Sequence, residues 1–119
     1  MNRLTLGAQG EKWAAEYLRN KGYTIIATNW HCVRGELDII AQDGDILVFI
    51  EVKTRRSAHI ADALVSITPR KRERLIASAY TYIADERSDE PDWRIDVIAV
   101  ALPTTGEPVI AHVEDALGW

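Results

Sequence analysis

Two stretches of the chain repeat apolar residues with a helical period. The first runs from about Thr5, a suitable N-cap, to Lys21, and Gly22 follows as a helix stop. Small and apolar side chains share one face of it and would let it pack closely on a sheet: Gly7, Gly10, Ala14, Tyr17 and Leu18. The second begins at Thr68-Pro69 and continues to about Ala84. Its inward face is predicted to carry Leu75, Ile76, Ala79, Tyr80 and Ile83.

Five further segments have the alternation or the apolar run of a strand. They span 23–30, 36–42, 45–54, 93–101 and 109–113. Residues 46–50 are apolar at odd and even positions alike, so we expect both faces of that strand to be covered. The order α-β-β-β-α-β-β predicts a single α/β domain over residues 1–119, with a central mixed sheet flanked by helices. Residues 57–67 are ambiguous and are predicted to be a loop with some helical or strand character.

The second and third strands are predicted to form a hairpin. Asp43-Gly44 lies between them, and such a pair is a strong signal for a two-residue loop. This loop would pair Asp38 with Phe49, and it would place four charged side chains on one face: Glu36, Asp38, Glu51 and Lys53. Asp38 and Glu51 would be diagonal neighbours with Cβ atoms about 7–8 Å apart, close enough to share one ion.

The charges that follow the apolar strand need a physical explanation. Glu51 and Lys53 continue a strand that is expected to lack a solvent-exposed face, and burying charged groups is costly unless they are paired or bind an ion. Two carboxylates and a lysine on one sheet face therefore indicate a site for metal and phosphate. The alternatives are an ion pair at the strand end for Glu51 and Lys53, and a solvated edge-strand residue for Asp38.

Composition narrows the class of protein. With 47% apolar and 27% charged residues, the chain is expected to be globular rather than disordered. No apolar run reaches the ~18 residues that a membrane span needs, and the N-terminus lacks the apolar core of a signal peptide. Cys32 is the single cysteine, which excludes an internal disulfide. We therefore expect a cytoplasmic protein with no membrane partner.

The distribution of charge is more informative than its sum. The formal net charge of −4 argues against nucleic-acid binding, but residues 53–74 contain seven basic and only two acidic residues. The basic residues are Lys53, Arg55, Arg56, Arg70, Lys71, Arg72 and Arg74. A basic patch beside a carboxylate cluster is typical of proteins that bind a phosphate backbone. The alternative is an ordinary solvated surface.

Two motifs, taken together, resemble a known family. Residues 35–40 read Gly-Glu-Leu-Asp-Ile-Ile, and residues 48–55 read Val-Phe-Ile-Glu-Val-Lys-Thr-Arg. They resemble the YraN-like family of predicted bacterial endonucleases, in the PD-(D/E)XK nuclease superfamily, related in fold to archaeal Holliday-junction resolvases. The similarity extends over most of the chain, through Gly10-Glu11, Asn29, Lys71 and residues 94–98.

The resemblance implies a fold, an activity and roles for particular residues. It implies a restriction-endonuclease-like three-layer core and metal-dependent cleavage of nucleic acid, DNA more than RNA, with branched DNA among the substrates. Asp38 and Glu51 would bind Mg²⁺ or Mn²⁺, Lys53 would position the attacking water or stabilise charge on the phosphate, and Glu11 would be the helix-borne catalytic glutamate. Glu36 is expected to support the ligands from the rim. The resolvase likeness also implies a homodimer.

Several alternatives stay open. Glu11 could instead be a first-turn acid that the helix dipole favours. Asp96 lies mid-strand and is expected to pair with Arg94 or Arg55 rather than bind metal. Residues 57–63 lack the aromatic-glycine pair expected after the Glu-x-Lys strand, which leaves the substrate contacts of that segment open. The rival to an endonuclease is a nucleic-acid-binding or scaffold protein that keeps the fold with little or no catalysis.

Overall fold

The computed structural model describes residues 4–62 and 67–117. The helices are α1 (Leu6–Asn20) and α2 (Pro69–Glu86), and one 3₁₀ turn spans Ile60–Asp62. The strands are β1 (Thr24–Cys32), β2 (Gly35–Asp43), β3 (Ile46–Arg55), β4 (Asp92–Ala101) and β5 (Val109–Val113). This order confirms the predicted succession of elements. Within the ambiguous segment 57–67, residues 57–62 and 67 are described and form a loop with one 3₁₀ turn, and residues 63–66 lie outside the described residues.

All five strands form one mixed sheet in the order β1-β2-β3-β4-β5. The pair β3–β4 is parallel and the other pairs are antiparallel. A parallel pair needs a crossover connection, and α2 lies in the one that joins β3 to β4. Within residues 4–62 and 67–117, no helix is long and apolar enough to cross a membrane.

The helices cover opposite faces of the sheet, as the unbroken apolar run of β3 predicts. On one face, Val48 packs in a cluster with Ala14 and Leu18 of α1. On the other face, Phe49 packs in a cluster with Leu75 of α2. The α/β fold with a central sheet flanked by helices is therefore confirmed.

The inward face of α2 differs from the prediction at one aromatic residue. Tyr80 is 57% exposed, and Tyr82 is buried instead. The Tyr82 ring packs edge-on against Trp30 and Phe49, with centroids 5.4 and 5.7 Å away. The prediction was wrong for Tyr80 because the centre of the buried stripe runs through Leu75, Ser78, Ala79 and Tyr82. Tyr80 lies at its margin, where its ring contacts Trp93.

The turn between β2 and β3 is shifted from the predicted one. Asp43 pairs with Ile46, so the loop is Gly44-Asp45 and not Asp43-Gly44. Gly44 has a φ of 58°, and a glycine at the first loop position is the preference of a type II′ hairpin turn. The shift moves the register by two residues, and an even shift does not by itself exchange the two faces of the hairpin. The predicted pairing of Asp38 with Phe49 is wrong, because Phe49 pairs with Ile40.

Asp96 of β4 is fully buried and anchors a charged network. Arg94 Nε donates to its Oδ1 at 3.0 Å, and the Asp115 backbone N–H donates to the same oxygen at 2.9 Å. His112 Nε2 lies 2.8 Å from Asp96 Oδ2. Burial favours a higher pKa for Asp96, but the hydrogen bonds from His112 and Arg94 outweigh it and the pKa is lowered. The expected pairing with Arg94 is confirmed. The contacts of Asp96 with His112 and Asp115 connect β4 to β5 and to the segment that follows β5.

α1 packs tightly against the end of β3 at Gly10. A Cβ atom added there would overlap the Thr54 side chain and lie 2.7 Å from the Thr54 Cβ atom. The absence of a side chain at this position therefore sets the distance between α1 and the end of β3. This close approach also brings the next residue, Glu11, to the charged end of β3.

Gly10→Ala is expected to lower the free energy of unfolding by about 1–3 kcal/mol, the usual cost of overpacking. The gain in helix propensity from glycine to alanine, about 1 kcal/mol, is too small to reverse this. Gly7→Ala is the matched control, because a Cβ atom at Gly7 meets nothing within 4 Å and propensity alone should raise the stability. Urea unfolding followed by circular dichroism measures both. Equal effects of the two changes would contradict the close packing of Gly10 on Thr54.

Candidate functional site

Three elements place their charged side chains in one cleft. Glu11 comes from α1, Asp38 from β2, and Glu51 and Lys53 from the end of β3. The cleft has a volume of about 310 Å³, and further lining residues are Gly7, Glu36, Val52, Thr54, Arg55 and Lys71. The four residues predicted to be catalytic, and Glu36 beside them, therefore lie together in the folded chain.

Asp38 lies where β2 and β3 separate. The last paired residues are Ile39 and Ile50, so Asp38 and Glu51 follow directly on the two strands, opposite each other rather than diagonal. Asp38 Oδ2 accepts a hydrogen bond from the Val52 backbone N–H at 2.8 Å. The carboxylate thus takes a backbone donor just beyond the end of the ladder, which holds Asp38 against β3.

A local irregularity of β1 lies beside this point. β1 pairs Thr28 with Ile39 and Trp30 with Leu37, and Asn29 between them is left-handed, with a φ of 51°. Asparagine tolerates this conformation better than most residues. Leu37 and Ile40 both pack on the α2 face of the sheet, so the regular alternation of β2 is broken between them. Asp38 lies within this break.

The surroundings of Asp38 disfavour its ionised form. Asp38 is only 7% exposed, which contradicts the alternative of a solvated edge-strand residue. Burial, the neighbouring charge of Glu51 and the more remote Glu11 and Glu36 raise the pKa of Asp38 to about 7, although the Val52 N–H acts in the opposite direction. A bound cation would relieve this repulsion.

Glu11 is not placed by the helix dipole. The first turn of α1 contains no acidic residue, and Glu11 falls in the following turn. The alternative of a first-turn acid is therefore wrong. Glu11 is half-buried and contributes negative charge to the surroundings of Asp38.

Two lysines contact Glu51. Lys53 Nζ lies 3.9 Å from Glu51 Oε1, and Lys71 Nζ of α2 lies 2.7 Å from the same oxygen. Burial and the adjacent Lys71 lower the pKa of Lys53 to about 8. Burial also acts to lower the pKa of Lys71, but its hydrogen bond with Glu51 outweighs this and the pKa is raised.

These residues fit a hard divalent cation. Across the described ranges, 4–62 and 67–117, no group of three or more His, Cys, Asp or Glu residues is arranged to hold a metal ion. Mg²⁺, however, usually takes only one or two protein carboxylates and completes its shell with water and substrate phosphate. Asp38 and Glu51 supply such a pair, and oxygen ligands are those that Mg²⁺ and Mn²⁺ prefer.

A basic groove continues from the cleft along α2. It has a volume of about 470 Å³ and shares Glu36, Glu51 and Lys71 with the cleft. Its other lining residues are Gly35, Thr68, Arg70, Arg74 and Leu75. Arg55 lines the cleft itself, whereas Arg56 and Arg72, both among the described residues, are exposed and line neither cavity. The structure thus brings four of the six predicted nucleic-acid-binding residues to the site.

One basic residue near the groove escaped the sequence reasoning. Arg34, at the turn between β1 and β2, lines a shallow cavity together with Glu36 and Arg74. It lies outside the basic segment 53–74, so a charge count along the chain does not find it. Its position directly before the Gly35-Glu36 motif is the signal that could have done so.

The fold and the site define a class of protein. This is an α/β protein with a restriction-endonuclease-like core, in which two carboxylates and a lysine meet at the end of the central strand. The chain belongs to the Uncharacterised protein family UPF0102, whose model matches residues 10–100. The predicted membership of the YraN-like family is thereby confirmed.

Similar proteins cover nearly the whole chain. A UPF0102 protein of Dehalococcoides mccartyi is 46% identical over 117 residues, which are 98% of this chain and 96% of the relative. A UPF0102 protein of Chloroflexus aurantiacus is 51% identical over 116 residues, 95% of this chain and 92% of the relative. A UPF0102 protein of Streptomyces coelicolor is 43% identical over 112 residues, 92% of this chain and 86% of the relative.

Proposed function

We propose that this protein is a divalent-metal-dependent phosphodiester hydrolase that cleaves nucleic acid, DNA in preference to RNA. The observation that carries the proposal is the meeting of Asp38, Glu51 and Lys53 in one cleft that opens into a basic groove. Neither an ion pair at a strand end nor a solvated surface accounts for Asp38, a buried acid placed beside a second acid.

Each residue has a distinct task in this proposal. Asp38 and Glu51 hold Mg²⁺ or Mn²⁺, and the ion when bound lowers the pKa of a water molecule and polarises the scissile phosphate. Lys53 donates from its ammonium group to the phosphate oxygens, where negative charge increases in the transition state. The Val52 N–H fixes the orientation of the Asp38 carboxylate. Glu11 adds a negative charge that favours cation binding from the α1 side.

The groove supports a nucleic-acid substrate. The first turn of α2 contains Arg70 and Lys71 and no acidic residue, which is unfavourable because the helix dipole disfavours cations there. A sequence that breaks a local stability rule at a cleft is typical of a functional site. Arg70 and Arg74 face the groove and would bind the phosphates next to the scissile one.

The test is cleavage of labelled linear, flapped and four-way-junction DNA, and of matched RNA, with Mg²⁺ or Mn²⁺. Asp38→Asn and Glu51→Gln are expected to lower cleavage by at least about a hundredfold, because each removes a charged metal ligand while keeping the shape of the side chain. Mn²⁺ affinity, measured by calorimetry, should fall in both variants.

Asp92→Asn is the matched control. Asp92 is exposed and begins β4 opposite Ile46, at the far end of β3 from the cleft. The Asp92→Asn variant should cleave nucleic acid and bind Mn²⁺ as the wild type does. Nucleic-acid binding without metal-dependent cleavage would favour the rival function, a binding or scaffold protein. Cleavage that persists in all variants would indicate a contaminating nuclease.

A further inference from the structure

Lys71 stands out among the basic residues of the site. Its Nζ atom lies 2.7 Å from Glu51 Oε1, whereas the Lys53 Nζ atom lies 3.9 Å from the same oxygen. The exposed fraction of the Lys71 side chain is 40%, against 10% for Glu51 and for Lys53. Glu51 and Lys53 are enclosed by the sheet, but Lys71 reaches Glu51 from the open side and can leave along the groove.

The contact places Lys71 where it would compete with a metal ion. Both lysines contact Glu51 Oε1, and Asp38 Oδ2 accepts the Val52 N–H, so a cation bound by the two acids would lie close to the Lys71 ammonium group. A divalent ion bound to Glu51 at about 2.1 Å would lie close to the ammonium group on the same carboxylate and would repel it. Movement of Lys71 away from Glu51 would relieve this repulsion, and Lys71 is the more exposed of the two lysines, at 40% against 10% for Lys53.

We propose that Lys71 is an exchangeable counter-ion of Glu51: it neutralises this carboxylate in the metal-free protein, and it transfers to a backbone phosphate in the groove when metal binds. Arg70 and Arg74 line the groove that the ammonium group would enter. Lys71 thereby becomes a substrate-binding residue only in the metal-loaded protein. This inference rests on the proposed function, because the metal and the phosphate are those of the same site.

Two measurements on the full chain test it. Lys71→Met should bind Mn²⁺ about tenfold more tightly than the wild type, a gain of about 1.4 kcal/mol, because no ammonium group has to be displaced. In the wild type, Mg²⁺ should raise the rate at which an acetylating reagent modifies the Lys71 amine by several-fold. Mass spectrometry of the labelled peptides measures that rate and needs no variant.

Controls separate this from a general charge effect. Arg72→Met removes a cation from the same helical turn without touching Glu51, and its Mn²⁺ affinity should stay within about twofold of the wild type. Lys71→Arg keeps a cation at the position and should not reproduce the gain seen in Lys71→Met. In the labelling experiment, Lys12 on the exposed side of α1 is the internal reference and should not respond to Mg²⁺.

The outcomes distinguish this inference from the function on which it rests. If wild type binds Mn²⁺ and cleaves DNA but Lys71→Met binds metal no more tightly than Arg72→Met, the counter-ion role is refuted and the nuclease stands. The counter-ion role is likewise refuted if the labelling rate of Lys71 does not respond to Mg²⁺. If neither wild type nor Lys71→Met binds Mn²⁺ or Mg²⁺, both proposals fail together.

Discussion

Replacing Lys53 with methionine is expected to lower kcat for phosphodiester cleavage by about a hundred- to a thousandfold, the usual cost of removing one group that stabilises transition-state charge. Methionine retains the length of the buried aliphatic stem, so the fold should be preserved. Because Lys53 is a cation 3.9 Å from Glu51 and not a ligand, its removal should not lower Mn²⁺ affinity. Single-turnover cleavage and calorimetry on the same sample test the two statements together.

The separation of kcat from metal binding is what makes Lys53→Met informative. A variant that merely distorts the cleft would lose both kcat and Mn²⁺ affinity. Asp38→Asn is also expected to lose both, because it removes a charged metal ligand. Lys12→Met is the matched control, since it removes a lysine from the exposed side of α1 and should cleave normally. A wild-type kcat in Lys53→Met would show that Lys53 takes no part in the mechanism. Its contact with Glu51 would then be a structural ion pair only.

Asp96→Ala is expected to lower the free energy of unfolding by about 3–5 kcal/mol, the largest effect on stability that the structure predicts. The change leaves Arg94, His112 and the Asp115 N–H without their shared acceptor in the interior of the sheet. Small domains have a total stability of about 5–15 kcal/mol, so this loss brings the protein close to unfolding. Urea titration followed by tryptophan fluorescence measures it.

Two further variants bracket the Asp96 result. Asp92→Ala, on an exposed position of the same strand, should change the stability by less than about 0.5 kcal/mol. Asp96→Asn keeps the volume and one acceptor oxygen, so it should remain folded and lose less than Asp96→Ala. A loss in Asp96→Ala no greater than in Asp92→Ala would mean that the network contributes little net stability.

The succession of elements could be predicted from the sequence because the signals are local. Thr5 and Thr68 cap the two helices as expected, and Gly22 follows the first one with a φ of 93°. The position of the hairpin turn was harder to predict from the sequence, because Asp43-Gly44 and Gly44-Asp45 are both acceptable two-residue loops. Only the packing of β2 on β3 decides between them. The register error was two residues, and an even error does not exchange the faces of the hairpin, but the break in alternation between Leu37 and Ile40 was not predicted.

The residues of the site could be predicted, on the hairpin from strand patterns and on α1 from the family resemblance, but most contacts between elements could not. Asp38, Glu51 and Lys53 are close in sequence, and regular alternation predicts them on one face, although the structure breaks the alternation of β2 beside Asp38. The contact of Lys71 with Glu51 depends on how α2 docks after the crossover, which no local pattern specifies. For the same reason Arg34, from a different turn, joins the groove only in the folded chain.

Because β2 and β3 together carry both acids and the lysine, the chemistry resides in a segment joined by a single tight turn. A circular permutant that opens the chain at the turn near Gly106, between β4 and β5, would leave this segment uninterrupted. One opened at Gly44 would sever Asp38 from Glu51 and make their meeting depend on noncovalent docking. Tolerance to permutation should therefore be unequal along the chain, and the β2–β3 turn should be the point at which function is lost before the fold.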